Sequence, residues 1–186
     1  MTSHLTGILS KFLRSKRIKA VKSFIYGDVL DLGCNSGDLS EFIMAQSYVG
    51  IDLDDQALAF AKNKYPQYEF FNNLNCLGND IKFDSIAMLA VIEYIKDRVF
   101  EYRKLRTYLR LNGILIITTP NSKMRYLRSL LANLGLLANK ERAQRINLPS
   151  IEEIKNDLNE AGFRIMHSKS FLFGMNQLVV AEINND

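Results

Sequence analysis

The sequence predicts an α/β protein whose mostly parallel sheet is covered by helices on both faces. Strand and helix patterns alternate from residue 27 onward, which is typical of parallel strands joined by helical crossovers. Several strand candidates are apolar throughout, such as Ile114–Ile117, as expected for strands buried on both faces. Only residues 173–176 separate the last two strand candidates, so we expect these two to form an antiparallel hairpin.

The individual elements follow from apolar periodicity and from residues that cap helices. The spacing predicts strands over 28–32, 48–52, 68–72, 83–89, 113–119, 164–171 and 177–183. It predicts helices over 37–46, 54–64, 97–110, 122–134 and 150–161, after an amphipathic N-terminal helix within residues 5–25. Asp54 and Ser150 are expected to cap helix starts, and Gly162 is expected to end the last helix.

Length and composition favour one domain spanning residues 1–186, because a chain of 186 residues buries one sizeable core but is short for two. No apolar run reaches the roughly 18 residues that span a bilayer, and no signal-peptide core begins the chain, so we expect a cytoplasmic location. Cys34 and Cys76 are too few for a disulfide framework, and His4 and His167 are isolated, so we expect no metal site.

The net charge of +4 is concentrated in two basic stretches. Residues 11–22 hold six lysines and arginines and no acid, so we predict a basic N-terminal helix within residues 1–26. Residues 123–145 form the second stretch, in which Glu141 is the one acidic residue. Such stretches attract phosphates, nucleic acid or anionic lipid, but they are equally compatible with solvated helix faces.

A glycine-containing turn after the first predicted strand indicates a nucleotide-like cofactor. Asp31 lies near the end of that strand, and Gly33 and Gly37 follow it. Because glycine lacks Cβ, a ligand can approach the backbone closely at such a turn. A second apolar run, 48–51, ends at Asp52, where a carboxylate is placed to accept hydrogen bonds from a ribose.

Five segments in order resemble the class I S-adenosylmethionine-dependent methyltransferase family, and together they cover about residues 27–183. They are 29–37, 50–54, 83–94, 109–121 and 160–163. The resemblance implies a Rossmann-like, seven-stranded sheet in the order 3-2-1-4-5-7-6 with the last strand antiparallel. It also implies S-adenosyl-L-methionine as the cofactor.

The resemblance also implies which residues bind that cofactor. Asp31 would pair with the amino group of the methionine moiety, and Asp52 would accept hydrogen bonds from both ribose hydroxyls. Asn72 and Asn73 are the candidates to accept a hydrogen bond from the adenine amino group, whereas Asp54 is interpreted as a helix cap. The full predicted set is Asp31, Gly33, Cys34, Asn35, Gly37, Asp52, Leu53, Asn72, Asn73, Leu89 and Ala90.

The chain departs from the family pattern at two informative positions. Asn35 stands where the family often has glycine, and asparagine is the residue that best replaces glycine in left-handed backbone. Tyr94 stands where many relatives have histidine, so any role that depends on histidine is unassigned. Glu93 and Tyr94 are candidate general bases, although packing or capping at a helix start would also explain each of them.

Other chemistries fit the sequence less well. A nicotinamide dinucleotide would need a second glycine against its pyrophosphate, and Asp31 would repel that group. The proline-rich signature of enzymes that methylate amino groups of nucleic acids is missing after the fourth strand. Residues 119–121, Thr-Pro-Asn, resemble the same position in small-molecule O-methyltransferases.

We therefore predict methylation of an oxygen in a small molecule, glycan or lipid-linked precursor. An RNA methyltransferase, favoured only by the basic stretches, and a silent cofactor-binding module that acts through a partner are the alternatives. Residues 122–149 are the expected acceptor segment and could form a lid, contact a membrane surface, or pack beside the fifth strand. The sequence does not indicate an oligomeric state.

Overall fold

The computed structural model describes residues 2–78, 80–122 and 148–184, with side chains from residue 11 onward. The predicted helix 122–134 and the expected acceptor segment 122–149 therefore lie almost wholly outside the described residues.

Within these ranges the chain alternates between strands and helices, as the sequence predicts. The α-helices are α1 (Thr2–Val21), α2 (Asp55–Lys64), α3 (Arg98–Arg106) and α4 (Ile151–Glu160). The strands are β1 (Asp28–Leu32), β2 (Ser47–Ile51), β3 (Glu69–Phe71), β4 (Phe83–Leu89), β5 (Leu109–Pro120), β6 (Phe163–Phe171) and β7 (Asn176–Ile183). None of the described helices is long and apolar enough to cross a bilayer.

The seven strands form one sheet in the order β3-β2-β1-β4-β5-β7-β6, which confirms the predicted order. Strands β1 to β5 pair in parallel, and β7 runs antiparallel to both β5 and β6. Pro120 pairs with Asn176, so the end of β5 meets the start of β7. The turn of the β6–β7 hairpin therefore lies beside the carboxyl ends of the parallel strands, at the same edge of the sheet.

Side chains alternate along each strand and bury two separate cores, one on each face of the sheet. On one face the strands pack against Tyr102 and Leu105 of α3 and against Ile154 and Leu158 of α4. The opposite core packs under α1 and α2 and includes Ile18, Val21, Leu58 and Ala61. Helices thus cover both faces, as predicted.

The predicted helix over 37–46 is wrong, because the structure has only a 3-10 turn over Asp38–Phe42. Ser40 donates its hydroxyl to the Gly37 carbonyl, a local hydrogen bond that competes with helix propagation. Ile43 is already extended, and the Gln46 amide donates to the Gly27 carbonyl. This hydrogen bond brings the chain back to the amino-terminal end of β1, beside which β2 begins.

The predicted helix 97–110 is too long, and the predicted strand 113–119 begins too late. Helix α3 ends at Arg106, and β5 begins at Leu109, opposite Phe83. The pairing of β4 with β5 shifts register after Phe83, and Asn112 is left-handed with φ of 103°. A β-bulge of this kind breaks the two-residue alternation of apolar side chains that identifies a strand. The start of β5 was therefore not recognised in the sequence, and the predicted helix was extended past the true end of α3.

The predicted helix boundaries are confirmed where side chains determine them. The Asp54 carboxylate accepts hydrogen bonds from the amides of Gln56 and Ala57 at the start of α2. Ser150 and Glu153 form a reciprocal capping box at the start of α4. Gly162 ends α4 with φ of +83°, a conformation in which glycine is favoured.

We expect Asp54→Ala to lower the free energy of unfolding by about 1 kcal/mol, because two amides at the start of α2 lose their acceptor. Urea denaturation checks this, with Gln56→Ala as the matched control at an exposed position of the same turn. Equal stability of the two variants would show that the cap contributes nothing.

Candidate cofactor site

A cavity of about 150 Å³ lies at the carboxyl ends of β1 and β4, beneath α1. The residues that line it come from α1, from the turn after β1 and from the end of β4. They are Arg14, Arg17, Ile18, Asp31, Gly33, Cys34, Asn35, Asp38, Leu39, Leu89, Ala90 and Tyr94. Six of the predicted cofactor residues are therefore together at one site.

The turn after β1 has the backbone geometry that its glycines predict. Gly33 and Gly37 have φ of +75° and +73°, and Asn35 has φ of +49°. Asparagine therefore adopts the left-handed conformation expected of it. A Cβ at Gly33 would lie 2.3 Å from Cγ2 of Val91, so the close approach of the chain at this point requires glycine.

Asp31 is almost completely buried beside the cavity, with 3% of its surface exposed. Its Oδ2 accepts a 2.6 Å hydrogen bond from the Tyr48 hydroxyl, whereas its Oδ1 has no hydrogen-bond partner in the described part of the chain. Burial raises the pKa of Asp31 to about 7, and the Tyr48 hydrogen bond opposes that rise. The neighbouring Asp52 raises this pKa further, and Arg14 lowers it. The site thus holds a carboxyl group that is ready to pair with a cation.

Asp52 follows β2 and links the turn after β1 to the turn after β2 by hydrogen bonds. Its Oδ2 accepts the Asn35 amide at 2.7 Å, and its Oδ1 accepts the Asp54 amide at 3.0 Å. A carboxylate oxygen can accept two hydrogen bonds, so each oxygen retains the capacity to accept one ribose hydroxyl. The carboxylate is partly exposed and is held in a fixed orientation by the backbone.

The remaining predicted residues near β2 and β3 lie outside the cavity lining, on the exposed surface. Leu53 is 90% exposed. Asn72 donates a long 3.4 Å hydrogen bond to Asp55, and Asn73 caps a 3-10 turn by accepting from the Asn75 amide. These residues follow the carboxyl ends of β2 and β3, and their contacts with the ribose and adenine of the cofactor stay a prediction.

The end of β4 brings backbone close to the cavity. Leu89 and Ala90 line it, and Ala90 is left-handed with φ of +64°, which is uncommon for a residue with a Cβ. The Ala90 amide donates to the Thr118 carbonyl at 2.7 Å, so the end of β5 holds this turn in place.

The structure separates the two candidate bases. Tyr94 lines the cavity, whereas Glu93 lies outside the lining and is completely buried. Glu93 accepts a 3.0 Å hydrogen bond from the Thr119 hydroxyl. Tyr94 is therefore the better placed of the two to contact a ligand.

Two arginines of α1 belong to the site, although the sequence indicated only a basic helix. Arg14 donates to Asn35, Ser36 and Asp38 of the turn, and Arg17 lines the cavity one helical turn later. The sequence did contain a signal for this placement, because residues 14, 17, 18 and 21 recur with helical spacing and so lie on one side of the helix. Arg14 and Arg17 share one side of α1 with the buried Ile18 and Val21, and both arginines are partly buried.

S-adenosylmethionine fits this donor set. The buried Oδ1 of Asp31 suits its ammonium group, Asp52 suits its ribose, and the backbone of Gly33 lines the cavity. A pyrophosphate would instead meet the carboxyl group of Asp31. Among the described residues there is no group of histidine, cysteine and acidic side chains that could hold a metal ion.

The strand order is that of the Rossmann-like methyltransferase fold. The chain belongs to the family described as "Methyltransferase domain", whose model matches residues 6–168. The first relative is a protein of Mycobacterium tuberculosis named as a probable S-adenosylmethionine-dependent methyltransferase, 33% identical over 98 residues. That match covers 50% of this chain and 36% of the relative, so it spans about a third of the relative's length.

A second relative is similar over most of both chains. The ubiquinone/menaquinone biosynthesis C-methyltransferase of Campylobacter jejuni is 25% identical over 183 residues, covering 83% of this chain and 77% of the relative. Among solved structures, a chain of a Haloferax volcanii complex between a methyltransferase activator and a methyltransferase superposes with a TM-score of 0.74. It is 13% identical, with 100% of this chain and 95% of that chain covered, and supports the fold alone.

We expect the affinity for S-adenosylmethionine to fall below pH 7, because binding there must first ionise Asp31. The loss approaches tenfold per pH unit, since one proton is released for each cofactor bound. Isothermal titration calorimetry between pH 5.5 and 7.5 measures it, a range in which the cofactor's amine stays mainly protonated. Asp31→Asn should bind weakly at every pH with no such slope, and a flat wild-type profile would contradict the role of Asp31.

We also expect Asp31→Asn to make the protein more stable at pH 8. The folded pKa of Asp31 lies above its usual value of 3.8, so the folded state holds the extra proton and stability falls as pH rises from about 4 to 7. Removing the buried charge removes that loss, and each ~1 kcal/mol gained raises Tm by about 2–4 °C. Thermal unfolding at pH 4 and pH 8 tests this. The gain should shrink at pH 4, and a less stable variant at pH 8 would refute the prediction.

Proposed function

We propose that the protein binds S-adenosylmethionine in this cavity and transfers its methyl group to an oxygen of a small molecule, glycan or lipid-linked precursor. The observation that carries the proposal is the buried carboxyl group of Asp31, whose Oδ1 has no partner among the described residues. A buried polar group without a partner is costly, and an ammonium ligand would satisfy it.

The chemistry needs mainly placement, because the bound sulfonium group supplies a methyl that is already electrophilic. Asp31 and Asp52 hold the two ends of the ligand by charge and by hydrogen bonds. The left-handed turn at Ala90 brings backbone against the ligand. Fixing two reactants in this way can supply about 7–11 kcal/mol of the barrier reduction in favourable cases.

The acceptor is expected on the side of the cavity that Tyr94 lines. Thr119 and Pro120 end β5 on this edge of the sheet, and the next residue, Asn121, donates its side-chain amide to the Gly174 carbonyl of the β6–β7 hairpin. Because Tyr94 lines the cavity, we propose that its hydroxyl orients the acceptor hydroxyl or receives its proton.

A carbon acceptor is the second candidate, because the Campylobacter jejuni relative is named a C-methyltransferase. RNA methylation has less support than the sequence suggested, since Arg14 and Arg17 of the basic stretch line the cavity and are only partly exposed. The complex with an activator in Haloferax volcanii makes a partner-dependent activity a further outcome to test.

Transfer of a tritiated methyl group from S-adenosylmethionine to phenolic, glycan, lipid-linked and RNA acceptors tests the proposed function. Mass spectrometry of the product then distinguishes methyl groups on oxygen from those on carbon. Absence of cofactor binding would refute the proposal. Binding without transfer to any acceptor, with or without cell extract, would favour the silent module.

We expect Tyr94→Phe to lower kcat by about 100-fold or more, the contribution usual for a positioned proton acceptor, while the cofactor Kd stays within twofold. Tyr26→Phe is the matched control, because its hydroxyl bonds to Asn112 at the opposite edge of the sheet. An unchanged kcat in Tyr94→Phe would remove this residue from the reaction.

A further inference from the structure

Two buried polar side chains lie where the end of β5 meets the start of β7. Thr118 of β5 and Asn176 of β7 are both completely buried. The Oγ1 of Thr118 and the Nδ2 of Asn176 have no hydrogen-bond partner among the described residues. A buried polar atom without a partner is costly, so two such atoms at one edge of the sheet require a common explanation.

Both side chains lie on the face of the sheet that α1 and α2 cover. In the antiparallel pairing of β5 with β7, Thr118 is opposite Leu178, and Asn176 is two residues before Leu178. Opposite residues share a face, and so do residues two apart along one strand. Leu178 belongs to the core under α1 and α2, so Thr118 and Asn176 are diagonal neighbours on that side.

Arg17 of α1 connects this polar pair to the cavity. Its Nε donates to Oδ1 of Asn176 at 3.2 Å, and its side chain also lines the cavity. Only the amide oxygen can accept from a guanidinium, so this bond fixes Nδ2 of Asn176 as the donor. The amide is neutral, so the bond orients the guanidinium without cancelling its charge. A positioned cation therefore lies beside a buried N–H donor.

These groups lie away from the residues that are predicted to bind the cofactor. Asp31, Asp52 and Asn72 are at the carboxyl ends of β1, β2 and β3. Strands β4 and β5 separate β1 from β7, so β7 is three strand spacings, about 14 Å, from β1. The edge formed by β5 and β7 is therefore available to the acceptor, beyond the part of the cavity that Tyr94 lines.

The chemistry of this edge selects an anionic oxygen. A guanidinium and an amide N–H both donate to oxygen, and the positive charge favours a carboxylate or a phosphate over a neutral group. Residues 11–22 contain no acidic residue. Glu93 is a buried acid, but it bonds to Thr119, whose side chain is on the opposite face of β5 from Thr118.

We propose that Arg17 and Asn176 bind an anionic oxygen of the methyl acceptor, so that the acceptor carries a carboxylate or a phosphate group. Arg17 supplies the charge, and Nδ2 of Asn176 supplies a second donor. The inference rests on the proposed function, because it assigns the acceptor side of the same cavity.

The test compares the binding of benzoate and phenyl phosphate with that of benzamide, a neutral counterpart of benzoate. The protein is first saturated with S-adenosylhomocysteine, which fills the cofactor site but has no methyl group to transfer. NMR titration of the ¹⁵N-labelled protein then gives each Kd, and the side-chain amide of Asn176 reports on the site. At least one anion should bind about 10- to 100-fold more tightly than benzamide, the range for charge-assisted hydrogen bonds. The two anions together distinguish a carboxylate site from a phosphate site.

Two variants should remove this preference to within about twofold. Arg17→Gln removes the charge, and Asn176→Asp replaces the donor with a carboxylate of the same shape that pairs with Arg17 and repels an anion. Lys19→Gln is the matched control, because it removes the same charge from an exposed position on α1 and should keep the preference.

The outcomes separate the inference from the function on which it rests. The inference would be overturned by a wild type that binds both anions no better than benzamide, a result that needs no variant. Equal losses in Lys19→Gln and Arg17→Gln would also overturn it, because they would show a general attraction to the basic helix. The same holds if S-adenosylhomocysteine displaces the anions, since they would then occupy the cofactor's place. Failure of the wild type to bind S-adenosylmethionine would instead overturn the proposed function.

Discussion

The burial of one carboxyl group, that of Asp31, is the constraint on which the site depends. A buried acid is costly unless it is protonated or paired, and here burial brings its pKa close to neutrality. Tyr48 of the neighbouring strand donates a hydrogen bond to one oxygen of this carboxyl group, and the positive charge of Arg14 lowers its pKa. The remaining cost is what a cationic ligand can relieve, so part of the binding energy is stored in the folded protein.

Helix α1 connects that electrostatic arrangement to the fold. Ile18 and Val21 of α1 are buried in the core on one face of the sheet, and Arg14 on the same side of the helix contacts the turn after β1. The same packing therefore positions a charged group and contributes to stability. A substitution that loosens α1 changes the site even where it touches no ligand, and for this reason matched controls on the outer face of the helix are needed.

The parts of the fold that local chemistry determines could be predicted from the sequence. The cap at Asp54, the left-handed Asn35 and the hairpin after β6 each follow from what one or two residues can do. The false helix over 37–46 arose because periodicity does not register the Ser40 hydrogen bond or the return of the chain to β2. The positions of Arg14 and Arg17 in the cavity lining were missed because the basic stretch was interpreted by its positive charge, without asking on which side of the helix each arginine lies.

The donor and acceptor sides of the site are built from different parts of the chain. The cavity lining comes from Arg14 to Tyr94, whereas the edge beyond it is formed where Asn121 joins the β6–β7 hairpin. Besides the pairing of β4 with β5, the two parts are joined by hydrogen bonds from Arg17 to Asn176 and from the Ala90 amide to the Thr118 carbonyl. None of these bonds involves Asp31 or Asp52, so we expect changes at the hairpin to alter which acceptor is bound while the geometry around those two carboxyl groups stays intact. Cofactor and acceptor recognition should then be separable by mutation.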